Sequence, residues 1–107
     1  MGALLDKLQQ GTKPTTLLRE LRIQYAGADN FSLSSAFIDK LHDECSTTDR
    51  IPQFNQINTH DLIQPIWHWQ DSREREGGHT DEEIDEIIIK VLKEAKLLNE
   101  DHLHSNP

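Results

Sequence analysis

Neighbouring histidine and acidic residues are the groups in this sequence whose types and spacing could support catalysis. Each group places an imidazole near a carboxylate. His42 is followed by Asp43 and His60 by Asp61, and a single residue separates His79 from Asp81. Such a pair can bind a divalent metal and position a water molecule, as metal-dependent phosphohydrolases do. A two-residue pair also arises by chance, and acids near a histidine suit an ordinary solvated helix surface. A small metal-dependent hydrolase that uses the first two pairs is therefore an alternative hypothesis.

Other common catalytic motifs do not occur in the sequence. It contains no HExxH and no GxSxG, and Gly77-Gly78 is followed by His79-Thr80 without the lysine that a P-loop requires. Cys45 falls on an apolar position of a predicted helix, which indicates a buried structural thiol and not a nucleophile. We therefore expect a protein that is not an enzyme and that uses no metal and no cofactor.

The segment Trp67-His68-Trp69 is the main aromatic feature of the sequence. Residues two apart lie on different sides of a helix, so the two tryptophans cannot share one helix face. One interpretation is that both anchor a region onto a core that is short of aromatic side chains. The other is that at least one is exposed and binds a partner, since tryptophan is enriched at binding hot spots. We include Trp67 and Trp69 among the predicted partner-binding residues.

Acidic side chains are concentrated around the start of the last predicted helix. Asp81, Glu82 and Glu83 complement the positive end of the helix dipole, whereas Asp85 and Glu86 exceed what capping of this helix needs. A charge run of this kind is either an ordinary solvated face or a surface that mates with a basic patch. The acids predicted to bind a partner are Glu74, Glu76, Asp81, Glu82, Asp85 and Glu86.

The net charge of −8 is distributed unevenly along the 107 residues, with +1 in residues 1–30, −3 in 31–70 and −6 in 71–107. A surface of this sign repels phosphate backbones, so direct nucleic-acid binding is disfavoured, whereas a basic protein is attracted over a long range. The single cysteine excludes an internal disulfide, which fits a reducing compartment. Because no apolar run approaches the ~20 residues of a membrane span, we expect a cytoplasmic protein without a membrane segment.

The elements that must position these residues are helices, because apolar side chains recur at three- and four-residue steps. Gly11 is predicted to end a short first helix, and the second begins near Pro14 and ends at Gly27. A third helix follows the loop and N-cap segment at 29–32. No alternating pattern of useful length predicts a strand.

The second half of the chain continues the helical pattern. Residues 46–58 are predicted to form a polar connection that three hydrophobic side chains hold to the core. Thr59 is predicted to cap a short helix that contains a proline. Thr80 and Glu83 form a capping-box pattern at the start of the last helix, whose apolar face runs to Leu98.

Together these patterns predict an all-α protein, an irregular bundle of four to five helices with a single domain at 1–98 and a flexible tail at 99–107. In size and acidity the chain resembles the small cytoplasmic immunity proteins and antitoxins of bacteria, which cover the basic active sites of nuclease toxins. That resemblance carries over no residue, but it implies a protein that binds and neutralises a basic partner such as a nuclease toxin. An accessory subunit of a larger assembly and a homodimer are further alternatives.

Overall fold

Six helices make up most of the chain that the computed structural model describes, residues 4–70 and 78–98. In chain order they are α1 (Leu4–Gln9), α2 (Pro14–Gln24), α3 (Asn30–Thr47), α4 (Ile51–Phe54), α5 (His60–Trp67) and α6 (Asp81–Glu94). The predicted all-α class is confirmed. The number of helices exceeds the expected four to five because α4 adds a single turn within the predicted polar connection. The predicted tail at 99–107 lies outside the described residues.

The longest of the six helices, α3, lies at the centre of the bundle and contacts α1, α2, α4 and α5. Helix α6 closes the bundle by packing against α2 and α5. Buried side chains from five helices form one hydrophobic cluster, and Trp69 is the largest completely buried side chain in it. Cys45 is buried in the same cluster, and this burial raises the pKa of its thiol, as expected for a structural cysteine. None of the described helices is both long and apolar enough to cross a membrane.

Side-chain caps start α3 and α6 at the predicted places. Asp29 caps α3 by accepting a backbone N–H at 2.8 Å. Thr80 and Glu83 form both hydrogen bonds of the predicted capping box of α6, at 3.2 and 3.1 Å. The predicted cap of α5 is wrong, because the Thr59 side chain forms no cap and Asn58 Oδ1 accepts the first N–H of α5 at 3.1 Å.

The turn between α1 and α2 is fixed by its backbone. Gly11 takes a φ of +107°, a conformation that residues with a side chain adopt only at a cost, and this confirms the predicted end of α1. Its N–H donates to the Leu8 carbonyl at 3.1 Å, and the Thr12 N–H donates to the Lys7 carbonyl at 2.9 Å. The residues that follow the turn are therefore held against α1, where α2 begins at Pro14.

Candidate partner-binding surface

Trp69 is held in the core by one carboxylate and two guanidinium groups. Its Nε1–H donates to Asp81 Oδ1 at 2.9 Å, and the guanidinium carbons of Arg19 and Arg22 lie 5.0 and 5.6 Å from its ring centroid. Arg19 also contacts both carboxylate oxygens of Asp81 at 3.1 Å. The Arg19 hydrogen bond, aided by the indole N–H, holds the pKa of Asp81 below its usual value. Trp69 is removed from the predicted partner-binding residues, because its ring is completely buried and cannot reach a partner.

Asn30 fixes the backbone on both sides of His68. Its Nδ2 donates to the carbonyl oxygen of Trp69 at 3.1 Å and, in a longer contact, to that of Trp67 at 3.4 Å. The Asn30 side-chain oxygen accepts a hydrogen bond from Arg22. The side chains at 67 and 68 therefore project from a backbone whose position is set by α3.

A short backbone pairing joins His68 to His79, immediately before α6. The His79 N–H donates to the His68 carbonyl at 2.8 Å, and the Gln70 N–H donates to the His79 carbonyl at 2.9 Å. A Cβ on Gly78 would lie 2.2 Å from the His68 carbonyl oxygen, so the close approach requires glycine there. His79 Nδ1 lies 3.3 Å from Glu83 Oε1 in the first turn of α6. This pairing places the start of α6 beside residues 68–70.

Trp67 remains at the surface, in contact with two other rings. It is 43% exposed, and its ring meets Phe31 edge to face with centroids 5.9 Å apart. The His68 ring stacks on it with centroids 5.5 Å apart. We call Phe31, Trp67 and His68 the aromatic patch. Sequence analysis missed Phe31, because the residue lies three positions before the buried Ser34 and so fits the three- and four-residue steps of the buried face of α3, which gives no signal of exposure.

Two of the acids predicted to bind a partner are used within the fold. Asp81 is bound to Arg19 and Trp69, as described above. Asp85 Oδ1 accepts the backbone N–H of Thr15 at 2.9 Å, in the first turn of α2. Asp85 therefore caps α2 and not its own helix, whose cap is formed by Thr80 and Glu83. Both carboxylates join α6 to α2.

Of the other four acids predicted to bind a partner, two are exposed and two lie outside the described residues. Glu82 and Glu86 lie one turn apart on α6 and are exposed. Glu83 belongs to the capping box, and the backbone N–H of Thr80 lowers its pKa, with a smaller contribution from His79. Glu74 and Glu76 lie outside the described residues. We call Glu82 and Glu86 the acidic edge of α6.

Replacing Asp85 by alanine is expected to lower the free energy of unfolding by about 1 kcal/mol, because the Thr15 N–H loses its acceptor. In a domain of this size the melting temperature should fall by roughly 4 to 8 °C. Glu86→Ala is the matched control at the neighbouring exposed position and should change stability by less than ~0.5 kcal/mol. Equal melting temperatures for the two variants in a thermal unfolding experiment would contradict the capping role of Asp85.

The two histidine–acid pairs of the hydrolase alternative lie on different helices. His42 and Asp43 are on α3, where the His42 ring packs edge-on against Phe54 with centroids 5.0 Å apart. His60 and Asp61 are on α5 and line a groove of about 410 Å³ against α6. Within residues 4–70 and 78–98, no three His, Cys, Asp or Glu side chains are arranged to hold a metal ion. The two pairs therefore do not combine into one metal site.

Comparison with known proteins finds no matching protein-family model, curated protein or solved structure. The aromatic patch and the acidic edge of α6 are both exposed.

Proposed function

We propose that this chain is a small acidic binding protein that covers a basic surface of a protein partner with its aromatic patch and the acidic edge of α6. The observation that carries the proposal is the exposure of Trp67, at 43%, two residues before a tryptophan that is completely buried. Tryptophan supplies a large contact area with few rotatable bonds, and it is enriched among the residues that dominate binding energy. Trp67 is the residue to which we assign the central contact.

The Trp67 ring is already held in place in the free protein, which supports this assignment. Phe31 holds one edge of the Trp67 ring, and the buried Trp69 and the hydrogen bonds from Asn30 fix the backbone beneath it. A side chain that is already fixed in the free protein loses less conformational entropy when a partner binds. The patch therefore offers a partner a pre-formed apolar contact.

The charge around the patch favours a basic partner. The His68–His79 pairing joins the backbone of the patch to the residue two positions before α6, and the exposed Glu82 and Glu86 follow in the first turns of that helix. Acids at the edge of an interface accelerate encounter with a basic protein and exclude acidic ones. The net charge of −8 acts in the same direction.

A nuclease toxin is the kind of partner that we propose for this surface. Enzymes that act on nucleic acid carry basic clefts that neutralise phosphates. A small acidic domain seated on such a cleft would compete with the nucleic acid for the same lysine and arginine side chains, and would thereby inhibit the enzyme. The proposal includes a cytoplasmic location, which the single, buried Cys45 supports. An accessory subunit would use the same surface and would differ only in its partner.

Affinity capture from the native cell extract, at low and at high salt, tests the proposal. The baits are the unchanged protein, Trp67→Ala and His42→Ala. His42 is a matched control because it is another exposed ring, about three helical turns from Phe31 along α3. We expect one stoichiometric basic protein with the unchanged and His42→Ala baits at low salt, its release at high salt and its loss with Trp67→Ala. Equal recovery with all three baits, or no partner at either salt, would contradict the proposal.

Reversing both charges of the acidic edge, with Glu82→Lys and Glu86→Lys, is expected to slow association with the captured partner about tenfold at low salt. The salt dependence of the association rate should also become shallower, since screening acts on the charges that were reversed. Asp85 is left unchanged because its carboxylate caps α2. Association rates are measured by surface plasmon resonance at several salt concentrations.

Asp39→Lys with Asp43→Lys is the matched control for this experiment. These two acids are exposed on α3, and their reversal changes the net charge by the same amount. We expect the control to slow association far less than the change on α6. Equal slowing by the two double variants would show that total charge, and not the acidic edge, attracts the partner.

A further inference from the structure

An apolar cavity of about 200 Å³ opens between the α1–α2 turn and the second half of α6. Its apolar walls are the side chains of Leu8, Pro14, Ile89 and Leu98. None of these residues belongs to the aromatic patch or to the acidic edge. A cavity of roughly 150 Å³ with similar walls can hold a benzene molecule, so this one has room for a group of that size or slightly larger.

The walls of the cavity are fixed by hydrogen bonds, which oppose its collapse. On one side, Gly11 and Thr12 are held to α1 by their backbone N–H groups. On the other side, the Asp85–Thr15 hydrogen bond holds α6 against the start of α2. Ile89 lies on α6 beside the completely buried Ile88 but is itself only half-buried, and it contributes apolar surface to the cavity.

Two lysines line this cavity, although the protein as a whole is strongly acidic. Lys13 precedes α2, and Lys93 lies in the last turn of α6. The acid that also lines the cavity, Asp85, already accepts the Thr15 N–H. An almost wholly apolar space whose lining includes the stems of two lysines is complementary to a ligand with an apolar body and a negative head that meets the ammonium groups at the opening.

We infer that this cavity binds a small apolar carboxylate, whose hydrocarbon part fills the space and whose carboxylate faces Lys13 and Lys93. The hydrocarbon part is the size of one aromatic ring or of a short branched chain. The cavity is smaller than the roughly 300 to 1,000 Å³ of pockets for drug-sized ligands, so most of a nucleotide or a large cofactor would lie outside it. This inference does not depend on the proposed partner, because the two sites use different residues.

Three probes of one shape test the inference: phenylacetate, neutral 2-phenylethanol and cationic 2-phenylethylamine. Each is titrated into the ¹⁵N-labelled full chain while the amide signals of Thr12, Ile89 and Leu98 are followed by NMR. For phenylacetate we expect saturable shifts at these amides, with a Kd on the order of 1 mM or below. The alcohol should bind about fivefold more weakly, and the amine should produce no saturable shift.

Substitution of one lysine tests whether the cavity recognises the charge of the ligand or only its apolar part. Lys93→Gln is expected to weaken phenylacetate binding about fivefold. Lys90→Gln is the control, because Lys90 is exposed one turn earlier on α6 and lines the other groove. It should leave the Kd unchanged. Should Lys93→Gln fail to fold, the exposed Lys13→Gln provides the same test.

Three results would each overturn the inference. The first is the absence of saturable shifts at Thr12, Ile89 and Leu98 with phenylacetate. The second is shifts confined to Trp67 and His68, which would place the probe on the aromatic patch. The third is equal affinity for the three probes, which would leave the lysines without a role in recognition.

Discussion

Replacing Trp67 by alanine is expected to weaken binding of the basic partner at least about thirtyfold, which corresponds to the roughly 2 kcal/mol of an interface hot spot. The expectation follows from its 43% exposure and its fixed position against Phe31. Stability should change little, because an exposed ring contributes less to the core than a buried one. Isothermal titration with the purified partner measures the Kd, and circular dichroism checks the fold.

His42→Ala is the control for this prediction as well, and it should keep the Kd within about twofold of the unchanged protein. Phe31→Ala should produce part of the loss, because Trp67 would keep its own contact area but lose the ring that orients it. A folded Trp67→Ala variant that binds the partner with unchanged affinity would show that the aromatic patch is not the interface.

Replacing Trp69 by alanine is expected to cause a large loss of stability, in contrast to Trp67→Ala. Truncation of a fully buried tryptophan costs about 3 to 5 kcal/mol. Here it also removes the N–H that donates to Asp81 and the ring beneath Arg19 and Arg22. Because a domain of this kind is stable by only about 5 to 15 kcal/mol, we expect the melting temperature to fall on the order of 20 °C.

Trp69→Phe separates the ring from its hydrogen bond. It keeps most of the apolar volume and loses only the indole N–H, so we expect a destabilisation of about 1 to 2 kcal/mol. Urea denaturation of Trp67→Ala, Trp69→Ala and Trp69→Phe ranks the three variants. A Trp69→Ala variant that is as stable as Trp67→Ala would contradict the role assigned to Trp69 in joining α2 to α6.

Local patterns were sufficient to predict most of the helices. The capping box joins Thr80 to Glu83, and Asp29 caps the N–H of Ser32. In each case the two partners are three residues apart, so a short stretch of sequence contains both. The buried face of α3 could likewise be predicted from spacing alone. The cap of α5 was misplaced by one residue because Asn58 and Thr59 are both suitable capping residues, and only the backbone conformation decides between them.

The candidate site could be predicted only in part, because its key contacts join distant parts of the chain. Trp67 and Trp69 are equivalent in sequence, and their different burial depends on Arg19 and Asn30 from other helices and on Asp81 twelve residues away. The role of Asp85 depends on Thr15, seventy residues earlier. The sequence showed where acids and aromatic rings are concentrated, but not which of them would be buried or hydrogen-bonded in the fold.

Measuring the solvent accessibility of Trp67 in the complex tests most directly whether the aromatic patch binds the partner. Trp67 is the only tryptophan in the variant Trp69→Phe, so acrylamide quenching of its fluorescence reports on this ring alone. We expect the quenching constant to fall several-fold when a tryptophan-free partner, or one with its tryptophans replaced, saturates the protein. An unchanged quenching constant at saturation would mean that Trp67 remains in water, and would contradict the assignment of the aromatic patch as the binding surface.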